Sequence, residues 1–304
     1  MERKSSVVGD PAVLTATTHP SLASFRQRTV LPRINVAFQP IVNLQSRTTT
    51  AFEALVRGPQ GQSYPELVTG MDEATLRLFD CHAAAEAIRR AVKLELGKQG
   101  ASLCINVLPD LHPQGLNAYF VRDAAQFYGL PINKIVLEMT ENHHLSMDGL
   151  NKVLCLNREL GFVTAMDDFG AGYCGLTALV ECRPEILKLD RALVRSIDTS
   201  VARQKIVGAF VGFCSSMQIV LVAEGVETEG EAQMLTRLGI HLMQGYLFSR
   251  PITNRLPHLS DEAYLGCASR VGTPALRQLP GEWMSERFAT VTGGQVLGLG
   301  IAQA

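Results

Sequence analysis

The chain has no CxxC pair among its seven cysteines, no net basic charge, a single tryptophan, and no apolar run approaching the roughly 18 residues that a membrane helix needs. Each absence removes a class of protein. The cysteines (Cys81, Cys104, Cys155, Cys174, Cys182, Cys214 and Cys267) are odd in number and irregularly spaced, and most sit inside apolar stretches such as Leu103-Cys104-Ile105. That pattern argues against a disulfide framework and fits reduced, mostly buried thiols in a cytoplasmic protein. A net charge of −1 argues against a broad basic surface for a DNA or RNA polymer, while leaving room for a local phosphate site. No membrane span is expected, and the start of the chain, Glu-Arg-Lys with no apolar segment behind it, does not look like a secretory signal.

What is present is a large apolar fraction, 46% of 304 residues against 19% charged, enough for a sizeable core. The length suits one α/β barrel of about 250 residues with some chain to spare. Residues 1–30, rich in Ser, Thr, Ala and Pro, are expected to form a loosely ordered arm. From there the pattern is regular. Residues 34–44 and 48–58 predict two strands joined by a short turn, hence antiparallel. Helical and strand patterns then alternate: helices over 72–98, 115–128, 147–160, 174–181, 200–216 and 228–238, and strands over 102–106, 134–141, 162–168, 184–190, 218–226 and 240–246. Alternation at this spacing means parallel βα units, and about eight strands in a region of this size predict a TIM-like (β/α)8 barrel with an antiparallel first strand, occupying 31–255. Residues 256–304 form a C-terminal extension, with a closing helix expected over 256–266.

In such a barrel, functional groups belong at the C-terminal ends of the strands. Asn106 ends strand three, Glu138 lies near the end of strand four, Asp167 and Asp168 end strand five, Lys188 is near the end of strand six, Glu224 ends strand seven and Gln244 strand eight. Glu53 and Arg57, four residues apart on strand two, share one face. Closure brings these scattered groups to one rim. The centre of the pattern is Ala165-Met-Asp-Asp-Phe-Gly-Ala-Gly172, in which adjacent carboxylates need positive charge beside them. Five acids and an amide exceed what one cation can use while leaving positions for water and substrate. Two cations sharing a bridging carboxylate fit, as in metal-assisted displacement at a phosphodiester. No Cys or His accompanies the acids at the strand ends, which favours Mg²⁺ or Mn²⁺ over Zn²⁺; His143 and His144, just after strand four, are expected to be loop residues. Lys188 is placed to orient water or neutralise developing charge, or else to pair structurally with an acid. Arg57 offers a forked donor for a phosphate oxygen, or a rim salt bridge. Glu141 can hold the Gly-rich loop by hydrogen bonds, or lie exposed; Gly170, Gly172 and Gly175 let that loop approach a ligand.

The ordered set Phe-Gln-Pro-Ile-Val-Asn-Leu (38–44), Glu53-Ala54-Leu55-Val56-Arg57, Asn106, Leu-Glu-Met-Thr-Glu (137–141), Met-Asp-Asp-Phe-Gly-Ala-Gly-Tyr (166–173), Leu-Lys-Leu-Asp (187–190), Val-Ala-Glu-Gly-Val-Glu (222–227) and Gln-Gly-Tyr-Leu-Phe-Ser-Arg-Pro (244–251) resembles the EAL family of cyclic di-GMP phosphodiesterases. The resemblance spans about Val36 to Pro251. It implies hydrolysis of cyclic di-GMP to linear pGpG with two Mg²⁺ or Mn²⁺ ions. The metal ligands it implies are Glu53, Asn106, Glu138, Asp167, Asp168 and Glu224, with Lys188, Glu53 and Asp167 at the chemistry. Gln39, Arg57, Glu227 and Gln244 would lie around the substrate. Glu141 would anchor the loop after the aspartates, which in this family couples homodimerisation through the barrel to activity. A regulatory protein partner at the termini is a further expectation. The chain departs from the family pattern at Gly58, where a Trp is usual, at Val107-Leu108 in place of Leu-Ser, and at Cys174-Gly175 in place of Ser-Ser. Silent family members, which act as receptors or interaction modules, usually lack a metal ligand; this chain keeps them all.

Overall fold

The computed structural model describes residues 31–109, 116–140, 146–171, 176–259 and 264. Eight strands close into one barrel in sequence order: β1 (Asn35–Asn43), β2 (Thr48–Arg57), β3 (Ser102–Asn106), β4 (Ile135–Thr140), β5 (Val163–Phe169), β6 (Ile186–Leu189), β7 (Val220–Ala223) and β8 (Leu242–Met243). β1 runs antiparallel to both of its neighbours, β2 and β8, and every other pairing is parallel. The helices are α1 (Tyr64–Val68), α2 (Glu73–Lys93), α3 (Leu116–Tyr128), α4 (Met147–Glu159), α5 (Leu176–Cys182), α6 (Arg191–Val194), α7 (Val201–Met217) and α8 (Glu229–Arg237). The expected barrel and its reversed first strand are both present.

The differences have local causes. The helix expected to reach residue 98 stops at Lys93, because Glu95 turns left-handed (φ 61°) and a 3-10 turn, Leu96–Gln99, follows. α1 and α6 were not expected. The first begins with a capping box between Ser63 and Glu66 and the second with Asp190, which accepts from the Ala192 amide; both are N-terminal signals written in the sequence. β7 and β8 are shorter than their apolar runs. β8 pairs with β1 only at Val42 and Asn43, and further along β1 the returning chain takes over: Phe38 and Ile252 exchange both backbone hydrogen bonds. Leu256–Leu259 are not helical, which removes the first turn of the expected closing helix; most of the remainder, 260–263 and 265–266, lies outside the described residues, as do the arm, Trp283 and the rest of the C-terminal extension.

The core has two layers, as a barrel requires. Between strands and helices pack large side chains such as Phe38, Phe52, Phe120 and Leu103, all fully buried. Inside the barrel, Ile41, Ala51, Cys104, Val136, Val163, Ala165, Ile186, Val220, Val222 and Leu242 form a separate apolar plug. Among the described residues no helix is long and apolar enough to cross a membrane, and no described cysteine is bonded to another: Cys81, Cys104, Cys182 and Cys214 are buried and Cys155 is exposed.

Candidate metal centre

The site follows from the plug by strand alternation. Side chains two residues apart on a strand share a face. Two residues beyond plug positions Ala51, Cys104, Val136, Ala165, Ile186, Val222 and Leu242 come Glu53, Asn106, Glu138, Asp167, Lys188, Glu224 and Gln244. On β1, which runs the other way, the equivalent position lies two residues before Ile41, and it is Gln39. The floor of the site is therefore the apolar plug, and its next layer is almost wholly polar.

Asp168 breaks the alternation. A regular strand would turn it away from Asp167, but the β5–β6 register shifts between Met166 and Phe169, and Asp168 adopts φ 57°. This left-handed backbone is one that Asp tolerates better than most residues. The bulge brings carboxylate oxygens of Asp167, Asp168 and Glu224 within 4.8 Å of one another, while oxygens of Glu53, Glu138 and Asp167 meet the same limit. The two triads share Asp167.

Lys188, 1% exposed, stands among these acids. Its Nζ lies 2.6 Å from Glu224 Oε1, 3.0 Å from Glu138 Oε2, 3.2 Å from Asp167 Oδ1 and 3.7 Å from Glu53 Oε2. Burial alone would push its ammonium down, but Asp167, Glu138, Glu224 and Glu53 together hold it well above the ordinary value. One cation does not balance five acids. Two like unit charges about 4 Å apart cost about 4 kcal/mol at an effective dielectric of about 20. The acids respond accordingly. Burial, reinforced by Glu53 and Asp167 against the pull of Lys188, pushes Glu138 up to about 8; burial and then the Asp167 charge push Asp168 up to about 6; burial also pushes Glu224 up. Glu138 Oε1 is buried with no hydrogen-bond partner among the described residues. Carboxylate oxygens in excess of the charge that balances them, one of them orphaned, make a donor set that fits hard divalent cations.

Around the acids, Asn106 Nδ2 donates to Glu53 Oε1 at 2.9 Å, which leaves the amide oxygen as an acceptor. Gln244 Nε2 donates to Glu53 Oε2 at 2.6 Å and to Gln39 Oε1 at 3.2 Å, and Gln39 Nε2 donates to the Ser249 carbonyl. Gln39, Gln244 and Glu227 line one open cavity beside Glu53 and Glu224. Arg57 is not drawn into the acid layer. Its Nη1 donates to the Val56 carbonyl at 2.8 Å, and it lines a separate, largely apolar cavity with Tyr64 and Asn106; among the described residues it makes no ion pair, so the rim salt bridge is not formed there. Glu141, His143, His144, Gly172, Cys174 and Gly175 lie outside the described residues. Sequence reasoning missed Arg191 and Tyr246, which line the cavity of Gln39 and Glu227. Their only signal was position, directly after Asp190 and Gly245 on the same rim.

The model of the EAL domain matches residues 23–251. This chain belongs to the EAL domain family. The EAL chain is 31% identical over 235 residues to the Escherichia coli K12 blue light- and temperature-regulated antirepressor BluF, covering 75% of this chain and 57% of BluF. It is equally 31% identical over 231 residues to the probable cyclic di-GMP phosphodiesterase PdeN of the same organism, covering 71% of this chain and 43% of PdeN. The chain thus spans about half the length of the curated relatives it matches. Among solved structures, the manganese and cyclic di-GMP complex of Klebsiella pneumoniae BlrP1 at pH 6 superposes with a TM-score of 0.69 at 38% identity, covering 74% of this EAL chain and 57% of that one.

Proposed function

We propose that this EAL domain, residues 31–255, hydrolyses cyclic di-GMP to linear pGpG with two Mg²⁺ or Mn²⁺ ions. The observation that carries the reading is the pair of acid triads sharing Asp167. Glu53, Glu138 and Asp167, with the amide oxygen of Asn106, would hold one ion; Asp167, Asp168 and Glu224 would hold the other. When bound, such a pair lowers the pKa of water and neutralises charge on the entering and leaving oxygens of a displacement at phosphorus. The chain's own residues do the rest. Lys188 Nζ, held among four acids, orients the attacking water by hydrogen bonding and gathers the carboxylates into one layer. The apolar plug beneath keeps bulk water from entering from below. Gln39 and Gln244 fix the Glu53 side of the site. Arg57, whose Nη1 is tied to its own strand, presents its remaining donors to a phosphate oxygen. The solved complex of BlrP1 with manganese and cyclic di-GMP and the phosphodiesterase name of PdeN support the choice of substrate and metal. A cytoplasmic homodimer through the barrel, with Glu141 anchoring the loop after the aspartates and a protein partner at the termini, belongs to the same proposal; sedimentation of the purified chain checks the dimer.

The antirepressor name of BluF favours a second reading, a silent cyclic di-GMP receptor or interaction module on the same barrel. The two part at Glu53. Glu53→Ala should abolish turnover of cyclic di-GMP, with the far-UV circular dichroism unchanged. Turnover equal to that of the parent would sink the ligand assignment.

A further inference from the structure

We infer that Glu185, tied to Thr164 and Arg158 at the foot of the barrel, locks the register of β5 on β6 and so positions Asp167 at the metal centre. The consequence for catalysis rests on the two-metal reading above; the lock itself does not. Between the pairs Ala165↔Ile186 and Phe169↔Leu189 the chain takes four steps on β5 and three on β6. Asp167 and Asp168 thus oppose Lys188 alone, two residues against one, as in a β-bulge. Above it, the Asp190 amide donates to the Phe169 carbonyl at 3.0 Å. If the lower half of β5 slid one residue toward the foot, the ladder would become regular. Asp168 alone would then oppose Lys188, and Asp167, shared by both acid triads, would turn to the outer face.

Hydrophobicity does little to prevent that slip. Residues 162–166 are apolar on both faces: Val163 and Ala165 enter the plug, Phe162 and Met166 the outer layer. The one polar side chain among them is Thr164, which is fully buried. Its hydroxyl and its amide both donate to Glu185 Oε2, the amide at 3.0 Å. Slid by one residue, Thr164 would face the plug and leave its hydroxyl without a partner. Glu185 is in turn held from two directions. Its carbonyl accepts from the Val220 amide of β7 at 2.9 Å, and its Oε1 accepts from Arg158 Nε on α4 at 2.5 Å. Arg158 Nη2 also donates to the carbonyls of Cys182 and Arg183, at the end of α5. The carboxylate is therefore fixed to β7, α4 and α5, and Thr164 meets it in one register only.

Hydrogen exchange of the metal-free chain, read by mass spectrometry on peptides from β2 and β5, tests the lock without any substrate. Glu185→Ala should speed exchange in β5 at least about tenfold, the least expected from losing a hydrogen bond to a charged acceptor, and leave β2 within about twofold of the parent. Phe120→Leu, a core change on α3, should speed the two strands alike. Thr164→Val removes the polar mark and keeps the shape. It should speed exchange in β5 while melting within roughly 3 °C of the parent, and Thr164→Ser should restore the parent's exchange. Only the native register offers Asp167 to metal, so metal pulls the chain back to it. Glu185→Ala should therefore need at least about threefold more Mn²⁺ for half-maximal hydrolysis of cyclic di-GMP, whereas Phe120→Leu should need no more than the parent. Exchange in β5 that is unchanged in Glu185→Ala and Thr164→Val, or raised only as Phe120→Leu raises it, would overturn the inference, and so would an Mn²⁺ requirement equal to the parent's. A parent chain that hydrolyses nothing would overturn the phosphodiesterase reading instead, and exchange in β5 would still decide the lock.

Discussion

Asp168 concentrates the chemistry of this chain at one residue. Its left-handed backbone makes the bulge that lets two adjacent carboxylates serve one centre, and its side chain completes the second triad. Two substitutions separate these contributions. Asp168→Asn keeps a side chain that tolerates this backbone and removes one of the repelling carboxylates, so without metal the chain should be no less stable than the parent, while the stabilisation given by added Mg²⁺ falls. Asp168→Val puts a β-branched residue at φ 57°, which should cost a further 1–2 kcal/mol or so whether or not metal is present. Thermal unfolding of both variants, with Mg²⁺ and with EDTA, tests this; equal stabilities for Asn and Val would mean that the bulge is not strained for ordinary residues.

At the scale of elements, the segment that follows β3 is fixed to the helical layer by one buried carboxylate. Asp80 on α2, 4% exposed, accepts from the Leu108 amide and from Asn117 Nδ2 on α3, both at 3.1 Å, and Tyr64 at the start of α1 reaches it at 3.5 Å. Burial, then the Asp80 charge, pushes the Tyr64 phenol up. Asp80→Ala takes the acceptor from the part-buried Leu108 amide and leaves buried Asn117 Nδ2 with the Leu108 carbonyl alone, at about 1–3 kcal/mol in all, so the melting temperature should fall by roughly 2–10 °C. A fall of a degree or less would show that this network does not hold the segment. The elements also show what sequence can and cannot carry. The positions of Glu53, Asn106, Glu138, Asp167, Lys188, Glu224 and Gln244 were legible because strand alternation and barrel closure determine them together. The bulge at Asp168 was not, since alternation alone sends that side chain away from the site. β7 and β8 were overdrawn because apolar runs continue past the last ladder hydrogen bond into buried loops. α1 was missed although its Ser63–Glu66 box was there to be found, because five residues are too few to show a helical period. Arg191 opens the four-residue α6 and Tyr246 lies beyond the end of β8, where there is too little regular structure for periodicity to give a direction.

For the whole molecule, the barrel gathers more negative charge than Lys188 can balance, and the sign of the pH response follows. Burial first, and then neighbouring acids, push Glu138 from an ordinary 4.5 up to about 8 and Asp168 from 3.8 up to about 6. A carboxyl group raised in the folded state binds more protons folded than unfolded, so its contribution to stability falls as pH rises between those two values and is level above them. Metal-free protein should therefore lose stability from these groups between about pH 4 and pH 8. Divalent metal must displace those protons and removes the penalty, so the rise in melting temperature on adding Mg²⁺ should be larger near pH 8 than near pH 5. A metal-induced shift that does not change with pH would mean that the raised carboxyls are not the ligands.

The most direct measurement is hydrolysis of cyclic di-GMP by the purified chain, with Mg²⁺ or Mn²⁺ and with EDTA, the linear product resolved by chromatography. The acid layer sharing Asp167 predicts pGpG that appears with metal and is abolished by EDTA. Tight binding of cyclic di-GMP with no product in either metal would contradict that account and make the barrel a receptor.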